Sequence, residues 1–242
     1  MEKANGGSGM KRFQTEPVQP AVVWREEVRT LTLEGEPVLE YRMSWPEVQG
    51  AGLGGRWISR YYARLARDWR LRWQREVYWK ACLELAARRA AARPFTPWSG
   101  ALTGEQVLWE NGLLSLRLTG EETRGDGRPC RVRWGDVWKV REGTPCTAGE
   151  LLGGGLRWKK RAMDQILEQG RQRRAAGDCF LDPGWEKKAA RAFPHDLCLT
   201  PEGVEAAFPQ CSIAPAAEGN PVFVLRRVAP NENAVGETKK SP

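Results

Sequence analysis

The sequence predicts an α+β fold with a mainly antiparallel sheet covered on one face by two basic helices. Two observations support this prediction. Several short segments alternate apolar and polar residues, which is typical of half-buried strands. Two longer segments repeat apolar residues every three or four positions, which is typical of helices. Groups of strands separated by only two helices favour an antiparallel sheet with the helices packed against it.

Strands are predicted wherever apolar and polar residues alternate. Between residues 22 and 45 the alternation continues on both sides of a turn at Glu34–Pro37 and predicts a hairpin. A second hairpin is predicted over residues 107–118, because Asn111–Gly112 is a strong signal for a two-residue turn. Four further strands are predicted at residues 131–140, 196–200, 204–208 and 222–228.

Two helices are predicted from the longer period. The first covers residues 56–93 and ends before Pro94, since proline cannot continue a helix. Because 38 residues is long for a globular helix, a relaxation or kink is expected near its alanine-rich C-terminal end. The second begins at Leu156, after a predicted capping box at Thr147 and Glu150, and extends for about 18 residues.

Length and composition favour one large globular domain. The chain has 242 residues, of which 41% are hydrophobic and 28% are charged. We expect a single α+β domain over residues 20–228, between disordered tails at residues 1–19 and 229–242. No apolar run approaches the roughly 20 residues of a membrane span, and the N-terminal residues do not form a signal peptide. We therefore expect no membrane span and a cytoplasmic location.

Catalytic and metal-binding chemistry finds little support in the residue types. His195 is the only histidine, and the pair His195 and Cys198 falls short of the four ligands of a structural zinc site. The six cysteines lack CxxC spacing, which favours free thiols over a disulfide framework. Neither a Walker-type phosphate loop nor a nucleophile-elbow motif is present. We therefore expect no enzyme activity, no cofactor and no metal.

The positive charge is concentrated in the two predicted helices. Residues 56–93 contain eleven basic and three acidic residues, residues 156–174 contain seven and two, and the whole chain has a net charge of +8. The remainder therefore has a net charge of −5. The basic residues form either the solvated outer face of helices that cover a sheet or a patch for an anionic partner. The residues that we assign to such a patch are Arg60, Arg64, Arg67, Trp69, Arg70 and Trp73.

The C-terminal third resembles the closing motif of a bacterial domain of unknown function. Leu199–Gly203 is similar to the family's LT-x-x-G turn, and Ile213–Gly219 is similar to its IAP-x-A-x-G segment. Asn111–Leu116 resembles the family's central hairpin, and Gly135–Trp138 resembles a later strand. This RsiV-like domain forms the C-terminal extracytoplasmic part of the lysozyme-sensing anti-sigma-V factor and accompanies some peptidoglycan deacetylases. The resemblance covers roughly residues 25–228.

The resemblance implies a non-catalytic recognition or sensor domain whose ligand is a protein or a cell-wall component. Arg124–Gly127 stands where relatives carry a GGAHG loop, so the family's histidine is absent, and Arg124 and Asp126 remain as candidate partner-binding residues. Because lysozyme is strongly basic, a chain with a net charge of +8 would need its acidic remainder for that contact. The sensing relatives are extracytoplasmic and need a membrane helix, so we expect that this chain does not act alone as an anti-sigma factor.

A second function from another class remains open. The protein would be an intracellular binder of nucleic acid or another anionic polymer through the Arg/Trp-rich helix at residues 56–93. Tryptophans interleaved with arginines suit stacking on single-stranded bases. The same spacing also suits a buried aromatic stripe with cation–π contacts at its edges. Affinity for such a partner would fall steeply with added salt.

Overall fold

A computed structural model describes residues 19–227. The tails that are predicted to be disordered lie almost entirely outside these residues. Within the described range, the strands are β1 Ala21–Leu33, β2 Glu36–Gln49, β3 Trp98–Glu110, β4 Leu113–Thr123, β5 Pro129–Lys139, β6 Thr144–Pro145, β7 Cys198–Thr200, β8 Gly203–Ala207 and β9 Val222–Leu225. The helices are α1 Gly52–Arg72, α2 Tyr78–Ala90, α3 Ala148–Leu151, α4 Trp158–Ala176 and α5 Trp185–Arg191, with a π-helical segment at Trp73–Val77 and a 3₁₀ turn at Ala216–Glu218. The α+β class is confirmed.

The strands form two sheets. Strands β1 to β6 lie side by side in chain order in the larger sheet, and β7 to β9 form the smaller one. Every pair of neighbours is antiparallel except β2 and β3, which run parallel from the pair Leu39–Trp98 to the pair Met43–Leu102. The parallel pair follows from the connection, because a long helical crossover brings the chain back to the same end of the sheet.

The long basic helix is present, but its irregularity lies elsewhere than expected. It begins at Gly52, and α1, the π-helical segment and α2 form one continuous helical rod to Ala90. The predicted kink near the alanine-rich end is wrong, since the departure from α geometry is at Trp73–Val77. A π-helical turn inserts one residue, which changes the direction of the side chains that follow. Trp73 and Val77 are both buried, so the extra residue keeps the inner face of the rod on the sheet.

Glycines in the larger sheet make room for two indoles of α1 and the π-helical segment. A Cβ atom at Gly100 in β3 would lie 2.8 Å from the Trp73 ring, and one at Gly120 in β4 would lie 2.7 Å from the Trp69 ring. Any other residue at these positions would push the helix away from the sheet. The tryptophans and the glycines therefore set the distance between the helix and the sheet together.

The second basic helix, α4, does not cover the same sheet as α1, which corrects the expectation of one helical layer. Ile166 of α4 and Trp185 of α5 are buried in a cluster with residues of the smaller sheet. The smaller sheet lies between these helices and the larger sheet. The physical reason is visible in β4, where Leu114, Leu116 and Leu118 face α1 while Ser115 and Arg117 face β7 and β8. Both faces of this strand are covered by protein.

A buried ion cluster joins the two sheets. The Glu205 side chain of β8 is only 7% exposed and accepts hydrogen bonds from Arg117 of β4 at 2.7 Å and from Arg133 of β5 at 2.9 Å. Nearby, β7 crosses Gly135 so closely that a Cβ atom there would lie 2.5 Å from the Cys198 backbone. The smaller sheet is thus fixed by one buried carboxylate and one residue without a side chain.

Local predictions agree closely with the structure. The capping box at Thr147 and Glu150 is confirmed at the start of α3. Hairpins are present at the predicted turns, although β3 begins at Trp98, nine residues before the predicted start at residue 107. None of the helices between residues 19 and 227 combines the length and the apolar content that a segment spanning a bilayer needs.

The ion cluster gives a first testable prediction. Replacing Glu205 by Gln removes the buried counter-charge that Arg117 and Arg133 share, and leaves Arg117 only the exposed Glu105. We therefore expect a loss of about 3 kcal/mol in the free energy of unfolding. Urea denaturation measures this loss. Glu105→Gln is the matched control, because Glu105 also pairs with Arg117 at 2.7 Å but is 59% exposed. Its loss should stay below about 1 kcal/mol, and equal losses in the two variants would contradict the role of Glu205.

Candidate functional site

A cleft of about 360 Å³ opens where α1, β5 and the closing segment of the chain meet. Tyr61, Leu65 and Trp69 follow one another at four-residue spacing and therefore share one face of α1. Alternate residues of β5 form the facing wall, and residues before β7 and around β9 form the third side. The cleft is lined by Tyr61, Leu65, Trp69, Val132, Arg133, Trp134, Asp136, Asp196, Pro209 and Asn220.

A chain of hydrogen bonds ends at Asp136 in the wall of this cleft. The indole Nε1–H of Trp138 donates to the Tyr62 hydroxyl oxygen at 2.8 Å, and that hydroxyl donates to Asp136 Oδ2 at 2.8 Å. Tyr62 is fully buried. Because Trp138 occupies the acceptor side of the hydroxyl, the proton of Tyr62 points to the carboxylate. The chain therefore fixes the orientation of Asp136.

Burial makes Asp136 a weak acid for a carboxyl group. Loss of water raises its pKa to about 6, and the negative charge of Asp196 adds to the increase. Burial beside the same two carboxylates raises the pKa of Tyr61 to about 12, so this phenol stays protonated. At neutral pH the cleft thus holds two negative charges next to a neutral hydrogen-bond donor.

These negative charges have no basic partner within the cleft. Arg133 lines it, but its guanidinium donates to Glu205 from both Nε and Nη2 at 2.9 Å. That arginine is neutralised by the ion cluster between the sheets. Aromatic surface, a tyrosine hydroxyl and unneutralised carboxylates suit a cationic group, which gains from both charge attraction and contact with ring faces.

Trp73 and Arg70, which are assigned to a binding patch, make contacts inside the fold. Trp73 is fully buried, and its Nε1–H donates to the buried Glu122 at 3.1 Å. Arg70 donates to both oxygens of Glu27 of β1, at 3.1 Å and 3.0 Å. Each is engaged by a carboxylate of the sheet that α1 covers, so these contacts do not favour their assignment to partner binding, which stays a prediction. Trp69 is half-buried and lines the cleft.

The remaining arginines of the predicted patch are exposed on α1. Arg60, Arg64 and Arg67 follow one another along the outer face of the helix, away from the cleft. Arg60 lies over the Trp57 ring at 5.2 Å, and Arg67 has only its neighbour Asp68 as an ion-pair partner in the described part of the chain. These three side chains are available to solvent.

The Arg124–Gly127 loop lies apart from both groups. The Arg124 guanidinium is 5.5 Å from the Trp98 ring, and Asp126 accepts a hydrogen bond from the backbone N–H of Arg128 at 3.1 Å. Neither side chain lines the cleft. The structure therefore does not bring Arg124 and Asp126 together with the other candidate residues.

Neither His195 nor any of the six cysteines lines the cleft. His195 is exposed and meets Phe193 edge to face at 6.0 Å, whereas Cys198 is buried beside Ser115. All six cysteines are free. Between residues 19 and 227 there is no group of three or more His, Cys, Asp or Glu side chains that could hold a metal ion.

Sequence reasoning missed most of the cleft. Asp136 stood within the Gly135–Trp138 motif, but nothing local marked it as a site residue. Tyr61 offered a weak signal, since it is four residues from both Trp57 and Leu65 on a helix whose inner face is otherwise defined by Ile58 and Tyr62. Asp196 comes from a distant part of the chain and could be placed only by the fold.

Comparison with solved structures agrees with the architecture described above. A DUF3298 family protein from Bacteroides fragilis NCTC 9343 superposes with a TM-score of 0.61 at 10% identity, over 86% of this chain and 90% of that one. The fold is that of DUF3298 proteins. A second, from Pseudomonas aeruginosa PAO1, has a TM-score of 0.54 at 12% identity, over 87% of this chain and 91% of that one. At such low identity the likeness to DUF3298 proteins concerns the fold alone. No protein-family model and no curated protein sequence matches the chain.

Asp136 predicts a specific pH dependence of stability. Its pKa is about 6 in the folded protein against 3.8 as the ordinary value, so its contribution to stability is complete below pH 4 and is lost as the pH rises past 6. Asp136→Asn removes this loss. From pH 4.5 to pH 7.5, we expect the free energy of unfolding of the variant to rise by about 2 kcal/mol relative to that of the wild type. Urea denaturation at both pH values measures this change.

The control for this measurement is Asp196→Asn. Asp196 is exposed, so its own removal should change the difference between the two pH values by only a few tenths of a kcal/mol. If the Asp136→Asn variant and the wild type differed by the same amount at both pH values, Asp136 would not be the titrating group.

Proposed function

We propose that this protein is a non-catalytic recognition domain that binds a basic protein in the cleft between α1 and β5. The observation that supports the proposal is the pair of carboxylates, Asp136 and Asp196, that lie beside Tyr61 and Trp134 without a basic residue to neutralise them. Binding sites for proteins are rich in Tyr and Trp, because rigid rings provide contact area at low entropic cost. A lysine or arginine of the partner would enter between the rings.

The charge distribution supports a basic partner despite the net charge of +8. Much of the positive charge of α1 and α2 is paired with carboxylates, as with Arg70 and Glu27 or Arg72 and Glu122. The cleft is locally negative, and local complementarity decides orientation and association rate. The resemblance to the lysozyme-binding domain of the anti-sigma-V factor agrees with a basic partner, and lysozyme is the first ligand to test.

A cell-wall glycan is the other ligand class that the resemblance implies. Neutral sugar rings could stack on Tyr61 or Trp134 but would gain nothing from two negative charges. A basic protein, by contrast, should lose affinity as Asp136 is protonated below about pH 6. The pH dependence of binding therefore distinguishes the two classes.

The experiment measures the affinity of the domain for hen lysozyme and for chitin oligosaccharides by titration calorimetry. We expect binding of lysozyme at pH 7.5 that weakens several-fold at pH 5. Asp196→Lys reverses a charge at the mouth of the cleft and should weaken binding at least tenfold, by loss of attraction and by repulsion.

Asp164→Lys provides the matched control, since it makes the same change of charge at an exposed position on α4. Its affinity should stay within about threefold of the wild type, because exposed charges more than about 10 Å apart are screened. If both variants weakened binding equally, the effect would come from the net charge of the protein and not from the cleft. Binding of the oligosaccharide alone would refute the protein ligand.

A further inference from the structure

The outer face of the long helix carries a row of exposed side chains. We call this row the outward stripe. It is separate from the cleft, which lies on another side of α1. Its members follow one another at three- or four-residue spacing, except for one interval of eight residues between Arg67 and Arg75: Leu53, Trp57, Arg60, Arg64, Arg67, Arg75, Trp79 and Leu83.

Large apolar side chains at both ends of the stripe face solvent. Leu53 and Leu83 are 72% and 71% exposed, and Trp57 and Trp79 are 56% and 61% exposed. Single exposed apolar residues are normal in proteins, but here a leucine and a tryptophan four residues apart are exposed at each end of one row. The two ends are about 45 Å apart at the rise of an α-helix.

Between these ends the stripe is positively charged. Arg60, Arg64 and Arg75 have no acidic partner among residues 19–227, and Arg67 pairs only with its exposed neighbour Asp68. Three other arginines of the helix pair with carboxylates of the sheet or of its first turn, namely Arg70 with Glu27, Arg72 with Glu122 and Arg89 with Glu34 and Glu36. The outer face of the helix therefore carries four positive charges that no carboxylate of the sheet neutralises among residues 19–227.

From this combination we infer that the outward stripe docks on the surface of a lipid bilayer that contains anionic headgroups. Leucine and tryptophan at the two ends would enter the boundary between headgroups and acyl chains, where tryptophan is favoured. The arginines between them would bind lipid phosphates, with their stems covering apolar surface. The helix would lie along the membrane, and the sheets would remain on the side away from it.

Nucleic acid is the competing anionic partner, and the apolar residues argue against it. A groove for single strands combines basic residues with aromatic rings that stack on successive bases. In the stripe the two tryptophans are separated by the whole arginine segment, and the outermost residues are leucines, which have no flat ring for a base. A bilayer uses leucine, tryptophan and arginine together.

The test measures co-sedimentation of the full chain with vesicles of phosphatidylcholine alone and with 30% phosphatidylglycerol. We expect partitioning only onto the anionic vesicles, and weaker partitioning with added salt. Arg60→Gln with Arg64→Gln should lower the partition coefficient about thirtyfold. Leu53→Ser with Leu83→Ser should lower it at least tenfold, because apolar burial in the bilayer is lost.

The matched control is Arg174→Gln with Lys187→Gln, which removes the same charge from exposed positions outside the stripe. It should stay within about threefold of the wild type. All four substitutions in the stripe are at exposed positions, and circular dichroism verifies that the variants are folded. Asp196→Lys, which acts on the proposed protein ligand, should leave vesicle binding intact, so the two proposals fail separately.

Three results would overturn the inference. The first is that the wild type does not partition onto anionic vesicles. The second is that the control variant loses as much affinity as the arginine variant of the stripe. The third is that the leucine variant binds vesicles as well as the wild type does and that a single-stranded 20-nucleotide DNA displaces the protein from them. That result would assign the stripe to nucleic acid.

Discussion

The position of the smaller sheet depends on one buried carboxylate. Glu205 lies between Arg117 and Arg133, so it joins β8 to β4 and β5 and is the buried counter-charge that these two arginines share. Removing charged groups from water is costly, and the cost is offset only when all partners are present. The same contact withdraws Arg133 from the cleft and leaves Asp136 unneutralised there. The assembly of the fold and the charge of the candidate site therefore have a common origin.

Packing contacts and ion pairs together hold the long helix on the larger sheet. Indoles lie on glycines of the sheet, and arginines on the flanks of the helix reach carboxylates of β1 and β4, as Arg72 does with Glu122 at 2.8 Å. These interactions occupy the inner face and both flanks. Two further sets of residues remain for partners, namely the row that includes Tyr61 at the cleft and the outward stripe. One helix thus serves the core, the cleft and the solvent surface at once.

Local features of the fold could be predicted from the sequence, and pairings between distant residues could not. The hairpin turn at Asn111–Gly112 and the capping box at Thr147 are encoded within four residues. By contrast, Arg70 and Glu27 are 43 residues apart, and helical spacing alone made Arg70 look like a surface residue. Helical spacing leaves both a binding patch and a buried aromatic stripe open for Trp73, because nothing local reveals that Gly100 leaves space for its ring. The cleft joins α1 to residues more than sixty positions later, and only the fold relates them.

The parallel pairing of β2 with β3 has a consequence for how the chain folds. Hairpin neighbours such as β1 with β2, or β3 with β4 and β5, close short loops and form early. The parallel pair is joined by the whole helical crossover, so it gains nothing from proximity along the chain. The larger sheet therefore consists of a hairpin, β1 with β2, and a meander that begins with β3, and the two meet at a seam of five residue pairs. That seam would close late, after the helix has docked, and it is where the refolding barrier is expected to concentrate.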